Sequence, residues 1–281
     1  MPDYGRPLEF GYFLIPDASD PEATLAWAET AEELGLDLVG IQDHPYQRRF
    51  LDTWMLLAAV AIRTKKVRLF PDVANLPLRP PAVLAKSAAT LDLLSKGRFE
   101  LGLGAGGFWD ATAAMGGPRR APGESVEALE EAIQVIRLMW SDQSSARFEG
   151  RHYQLTGVRP GPRPAHPVAI WIGAYKPRML RLIGRLADGW VPSLGYLQVA
   201  EIPEAQATID KAATAAGRDP ASIRRVVNVG EDVTAEALTA LAADHGFDSF
   251  IPRDRRPRPA GTLREGRGPA VRAEVTTRRG G

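Results

Sequence analysis

The chain contains no cysteine. That excludes disulfides, thiolate-bound metals and a cysteine nucleophile together, and it fits a reducing compartment. Histidine is scarce, with four in 281 residues. His44, His152, His166 and His245 lack the spacing of a zinc site, so no metal is expected. There is no Gly-x-Ser-x-Gly elbow and no Walker A loop, which removes the usual signatures of serine hydrolases and P-loop nucleotidases. No apolar run approaches the ~18 residues of a membrane span. Pro2, Asp3, Glu9 and Asp17 interrupt any secretory apolar region near the start. A cytoplasmic location without a membrane partner is the resulting expectation. The net charge is only +1, but it is unevenly spread. Nine Arg and three acidic residues lie from Pro252 onward. A basic tail can mean nucleic-acid binding. No aromatic residue is interleaved with this one, so a solvated segment without a nucleic-acid partner is the simpler reading.

What is present is an alternation of short apolar runs with amphipathic stretches. Hydrophobic residues make up 44% and charged residues 25% of the chain, as in ordinary globular proteins. The runs predict eight strands: Leu8–Ile15, Leu38–Gln42, Val67–Phe70, Phe99–Leu103, Val168–Ile172, Gly189–Val191, Arg225–Val229 and one from Ser249. Helices are expected between most of them. Asp20 is placed to cap the first, with Pro21 at its first turn, and Asp52 to cap the second. The fourth and fifth strands are separated by a Gly/Pro-rich loop at Gly116–Gly123, a helix near Ser125–Trp140 and a hairpin at Arg147–Leu155. Repeated β/α units of this kind predict an α/β fold, a (β/α)8 TIM barrel. It would be a single domain over 1–251, with an insertion at about 105–167 and an atypical Arg/Pro/Gly-rich, poorly ordered tail over 252–281. A doubly wound sheet is the other arrangement such units form. Against it, the glycine-rich stretch follows the fourth strand, not the first, and lacks the dinucleotide fingerprint.

In a parallel barrel the active site lies at the C-terminal strand ends, and four segments stand there. Gln42-Asp43-His44-Pro45 follows strand 2. His44 can hydrogen-bond developing charge or move a proton near neutral pH; a structural loop histidine is the plainer alternative. The stiff Pro71–Pro81 loop follows strand 3 and suits either a ligand wall or a simple rigid connection. Gly102–Asp110 follows strand 4, and its glycines let a planar ring or a phosphate approach the backbone, or merely make a flexible turn. Gly173-Ala174-Tyr175-Lys176-Pro177-Arg178 follows strand 5 and opens a helix. Free N–H groups there, with Lys176 and Arg178, can hold a phosphate.

The stretches AETAEELGLDLVGIQDHP (Ala28–Pro45), LPLRPPAVLAKSAATLDLLSKGRFELGLGAG (Leu76–Gly106) and IWIGAYKPRMLRLIGRLADGW (Ile170–Trp190) occur here in order. FEGRHYQL (Phe148–Leu155) and GFDSFI (Gly246–Ile251) accompany them. Together they resemble the luciferase-like flavin monooxygenase superfamily, above all its branch that uses the deazaflavin coenzyme F-420. The resemblance implies hydride transfer between coenzyme F-420 and a small organic substrate. FMN-dependent monooxygenation with O2 is the alternative, and a non-catalytic flavin-binding paralogue a second one. It implies that His44, with Asp43, lies near the reactive edge of the cofactor ring. Asp72, Val73 and Ala74 fall on a strand-3 bulge that often holds a non-prolyl cis peptide and backs the ring. Gly104, Ala105, Gly106 and Gly107 would form a backbone edge under the ring, and Gly173 and Ala174, with Lys176 and Arg178, the phosphate site. A homodimer is common in the superfamily. In relatives that oxidise sugar phosphates, a Glu aligns near Gly107 and a Trp near Arg48. Here Asp110 is the nearest carboxylate and the candidate catalytic partner of His44, and Trp109 can supply an aromatic wall. The resemblance therefore disfavours a sugar phosphate. The end also departs from the superfamily pattern: only the Pro-Ala-Val-Arg remnant at Pro269–Arg272 is recognisable.

Overall fold

A computed structural model describes residues 4–253 together with 271, 274 and 275. The chain runs β1 (Glu9–Leu14), α1 (Pro21–Glu33), β2 (Leu38–Ile41), α2 (Thr53–Arg63), β3 (Arg68–Pro71), β4 (Ala74–Asn75), α3 (Pro81–Ser95) and β5 (Leu101–Gly104). It continues with α4 (Trp109–Ala114), α5 (Pro122–Met139), the hairpin β6 (Ala146–Glu149) and β7 (Gln154–Val158), β8 (Ile170–Ile172) and α6 (Pro177–Leu186). It ends with β9 (Gly189–Trp190), α7 (Ile202–Ala215), β10 (Arg224–Val229), α8 (Ala235–Ala243) and β11 (Ser249–Pro252). The expected caps form. The Asp20 carboxylate accepts from Ala23 N, and Asp52 accepts from Trp54 N and Met55 N.

Nine strands form one sheet in the order β3-β2-β1-β11-β10-β9-β8-β5-β4, with every pair in it parallel. A parallel bridge between Leu69 and Phe99 joins β3 to the chain entering β5 and closes the circuit. This is the expected TIM barrel. Its third strand is interrupted: β3 pairs with β2, and after the bulge at Asp72–Val73 the chain resumes as β4 and pairs with β5. The Asp72–Val73 peptide is cis.

Because the strands are covered on both faces, there are two cores. Phe13, Leu38, Phe70, Trp171, Val191, Val226 and Ile251 fill the barrel interior. A larger layer, including Leu14, Val39, Leu57, Leu84, Ile133 and Ile183, packs between the strands and the helices. The segment between β5 and β8 is less foreign to the barrel than an insertion suggests. Helix α5 packs on α3 and α6 as the fourth barrel helix, so only α4 and the hairpin are additions. Pro252 belongs to β11 rather than to a tail, and Arg253 follows it in defined structure. The rest of the expected disordered segment, apart from Val271, Glu274 and Val275, lies outside the described residues.

The opposite, N-terminal end of the barrel is tied by charge. Arg224 pairs with Glu9 and Asp248, and Arg68 with Glu9 and Glu100. His166 belongs to this end: its Nδ1 lies 2.8 Å from Asp92 Oδ1. It serves structure, as its position between Ala165 and Pro167 suggests.

Candidate active site

The C-terminal strand ends enclose a cavity of about 1050 Å³. Residues from all four predicted segments line it: Asp43 and His44 after β2; Asp72, Val73 and Ala74 at the β3–β4 bulge; Gly104, Ala105, Gly106 and Gly107 after β5; and Gly173, Ala174, Lys176 and Arg178 after β8. Trp109 lines it as well. Asp110 does not. Its side chain is 94% exposed and paired with Arg119. Helix α4, which the glycine-rich spacing did not reveal, turns it outward from the first helical turn. No carboxylate from the β5 loop therefore reaches the cavity, and Asp110 drops out as a partner for His44.

Burial is the main influence on His44, and with the charge of Arg253 it holds the imidazole below the usual histidine range. Gln42 Nε2 lies 3.2 Å from His44 Nδ1; with the amide as donor, the neutral ring carries its proton on Nε2. The ring stacks on Tyr46 at 5.4 Å and meets Phe108 edge-on at 5.5 Å. Asp43 is fixed beneath it, with Oδ2 accepting from Asn75 N at 2.9 Å. Burial raises its pKa despite that bond and the nearby Arg79.

The wall is built by close packing. A Cβ on Gly104 would lie 2.9 Å from Val73 Cγ2, and one on Gly173 would lie 3.1 Å from the same atom. These glycines admit the Val73 side chain, and the bulge is thereby wedged between β5 and β8. Gly106 adopts φ +103°, which L side chains rarely take.

The cavity has two chemically different regions. At one, the starts of α5 and α6 meet: Pro122, Gly123, Ser125 and Val126 line it together with Lys176, Arg178 and Met179. Helix α6 has no side-chain cap, so its first N–H groups are free for an anion. Arg178 is partly engaged by Glu127 at 3.1 Å. The other region is the floor over the barrel interior. Gln42, Asp43, Asp72, Asn75 and Asn228 line it, and one oxygen of each (Gln42 Oε1, Asp43 Oδ1, Asp72 Oδ2, Asn75 Oδ1 and Asn228 Oδ1) is buried without a hydrogen-bond partner among the described residues. Buried polar atoms are normally paired, so this cluster marks a place made for something else. An anion-binding end, a flat wall of glycine and Val73, and a floor of acceptors suit a planar ring with polar edges that carries a phosphate.

Sequence reasoning missed several lining residues. Asn228 and Arg253 come from β10 and the end of β11; Ser193 and Tyr196 from the loop after β9; Tyr175 and Phe108 lay inside quoted segments without a role. Asn228 was detectable as the single amide in the otherwise apolar run Val226–Val229. Arg253 had no local signal, because it reads as part of the basic tail. Among the described residues, no group of three or more His, Asp or Glu could hold a metal ion. No described helix is long and apolar enough to cross a membrane.

Fold and cavity define a (β/α)8 barrel with a large cavity at the C-terminal ends of its strands. The chain belongs to the luciferase-like monooxygenase family, whose model matches residues 8–237. A relative from Kineococcus radiotolerans named F420-dependent glucose-6-phosphate dehydrogenase is 32% identical over 244 residues, covering 85% of this chain and 72% of its own. Among solved structures, an F420-dependent secondary alcohol dehydrogenase in complex with an F420-acetone adduct matches with a TM-score of 0.81 at 19% identity. It covers 95% of this chain and 99% of that one. A long-chain alkane monooxygenase matches with a TM-score of 0.78 at 14% identity, covering 98% of this chain and 92% of that one.

Proposed function

We propose that this chain is an oxidoreductase that transfers a hydride between coenzyme F-420 and a small organic substrate. The observation that carries this reading is the single continuous cavity, in which two helix starts, a glycine–valine wall and a floor of unpaired acceptors face one occupant. The F420-dependent relatives support it. When bound, the deazaflavin would supply the carbon that gives or takes the hydride.

The protein's own residues bind, orient and move protons. Lys176, Arg178 and the first N–H groups of α6 would hold the phosphate. Val73, Gly104, Gly106 and Gly173 would set the ring plane, and Asp43 and Asn75 would meet its polar edge. His44 would handle a proton beside the reacting carbon. The rings of Tyr46 and Phe108 pack against the imidazole and Trp109 lines the same cavity, an apolar surround in which the charge that develops is felt more strongly than in water. With no carboxylate from the β5 loop in the cavity, a sugar phosphate stays disfavoured as substrate, despite the name of the relatives.

Titration with coenzyme F-420 and with FMN tests the proposal. Micromolar quenching by F-420 is the expected result. Tight binding of FMN alone, with oxygen consumption when it is reduced, would replace it with the monooxygenase reading. A homodimer belongs to the same proposal. Neighbouring helices α2 and α3 leave Met55, Ile62, Val83 and Leu94 between 55% and 71% exposed, a face suited to a second copy of the chain. A cytoplasmic location is proposed on the cysteine-free composition.

A further inference from the structure

We propose that Asp72 works as a neutral carboxylic acid, donating a hydrogen bond from the cavity floor to an oxygen of the occupant on which negative charge develops. The proposal deepens the hydride-transfer reading and rests on it.

The geometry starts with the bulge. Asp72 follows the last residue of β3 and points into the barrel mouth, only 7% exposed. Across the barrel, Asn228 Nδ2 donates to Oδ1 at 3.1 Å and to Ser193 Oγ at 3.1 Å. Oδ2 is buried and has no partner. Opposite it stands Gly40 of β2, where a Cβ would lie 3.0 Å from Oδ2 and 2.7 Å from Phe70. The strand thus leaves a recess that the carboxyl occupies.

The surroundings are those of an acid, not of a carboxylate. Asp72 makes no ion pair among the described residues. The charged and titratable groups that act on it are Arg253 beyond β11 and Tyr175 beyond β8, and His44 beyond β2 lines the same cavity. Arg253 lies over the Phe13 ring at 5.2 Å. Burial holds His44 neutral, and burial with a contribution from Asp72 raises the Tyr175 phenol. One neutral amide donor and a cation that makes no ion pair with it among the described residues do not repay the cost of burying a carboxylate. Burial accordingly pushes the Asp72 pKa up to about 7, against the pull of Asn228 and Arg253.

The protonation state decides what the floor can recognise. With Asp72 ionised, its Oδ2 can only accept. With Asp72 protonated, Oδ2–H becomes a donor among acceptors, and the floor can read an edge in which N–H and C=O alternate. A donor preset toward an oxygen that gains charge during hydride transfer stabilises that charge without reorganisation. No bond to Asp72 breaks and no electron passes through it.

Two measurements test this. In the ligand-free protein, the carboxyl carbon resonance assigned to Asp72 by comparison with Asp72→Asn should titrate near neutrality. Titration in the ordinary carboxylate range would overturn the proposal. The affinity for F-420, read by fluorescence quenching, should fall about tenfold per pH unit above that midpoint in the wild type. In Asp72→Asn, which keeps a neutral donor, affinity should stay near the wild-type value at low pH and lose this dependence. Asp72→Ala should bind about 10- to 100-fold more weakly at low pH. An Asp72→Asn curve that follows the wild type at every pH would overturn the donor role. If the resonance titrates as expected while neither F-420 nor FMN binds, the hydride-transfer reading fails and the buried acid stands.

Discussion

Individual side chains in this cavity are tuned by what surrounds them more than by their type. His44 and Asp72 are shifted in opposite directions by the same cause, burial, and in both it favours the neutral form: the imidazole falls below the usual histidine range, and the Asp72 carboxyl rises to about 7, so that it is largely protonated only below that pH. Replacing His44 with Ala should leave F-420 affinity nearly unchanged and lower kcat by about 10²- to 10⁴-fold, as loss of a proton-handling group does. Asp110→Asn should leave kcat unchanged, since the side chain points to solvent; steady-state kinetics separates the two. Asp72 also predicts a stability effect. Its folded pKa lies above the unfolded value, so its contribution is fully present below the unfolded pKa of ~4 and is lost as pH rises toward about 7. Asp72→Asn should therefore gain stability relative to the wild type across that window. The gain reaches on the order of 4 kcal/mol at most, from ~1.4 kcal/mol per pKa unit. Urea unfolding at a series of pH values measures it, and a pH-independent gap would contradict it. The sequence made His44 visible because histidine is rare and follows a strand. It hid the acid character of Asp72, because the neighbours that leave its carboxyl unpaired come from β2, β8, β10 and β11.

Elements place these side chains through contacts between strands and helices. The strand-3 bulge depends on Val73 seated against Gly104 and Gly173. Helix α6 presents its uncapped start to the cavity because its other face is held by α7: Gly184 lets the helices approach so closely that a Cβ there would collide with Ile209 O. Lys176→Ala should weaken binding of the phosphate-bearing cofactor, with little effect on the ring fragment alone, and the difference should shrink at high salt. Parallel titrations with cofactor and fragment would reveal it. On the outer side of β10, Arg225 is fully buried and binds Asp210 at 2.7 Å, Gln206 at 2.5 Å and Ile223 O at 2.9 Å. It ties the strand to α7. Arg225→Ala should cost about 1–3 kcal/mol, the usual result of leaving buried hydrogen-bonding groups such as Gln206 and Ile223 O without their donor, while Asp210 is partly exposed, and denaturant unfolding gives the value directly. Most elements were legible in the sequence within a few residues, because their apolar spacing and caps are local. Helix α4 was not: its six residues are too short for a periodic signal.

At the scale of the whole molecule, closure of the sheet brings together strand ends that are far apart in sequence. The exposed apolar face on α2 and α3 predicts association of two copies. Sedimentation should give a dimer, and Ile62→Arg combined with Val83→Arg should give a monomer with its cavity intact. A wild-type monomer at micromolar concentration would refute the face as an interface.

By itself the sequence determined the barrel, the four strand-end segments and the likeness to luciferase-like proteins. Those follow from patterns within ten to thirty residues and from motifs that stand in order along the chain. Only the tertiary structure decided that Asp110 faces solvent, that Arg253 enters the cavity, and that five residues lining it each bury an oxygen without a partner among the described residues. Each of those facts depends on which residues the closed sheet sets opposite one another, and burial and partnership, which fix protonation, exist only once it has closed.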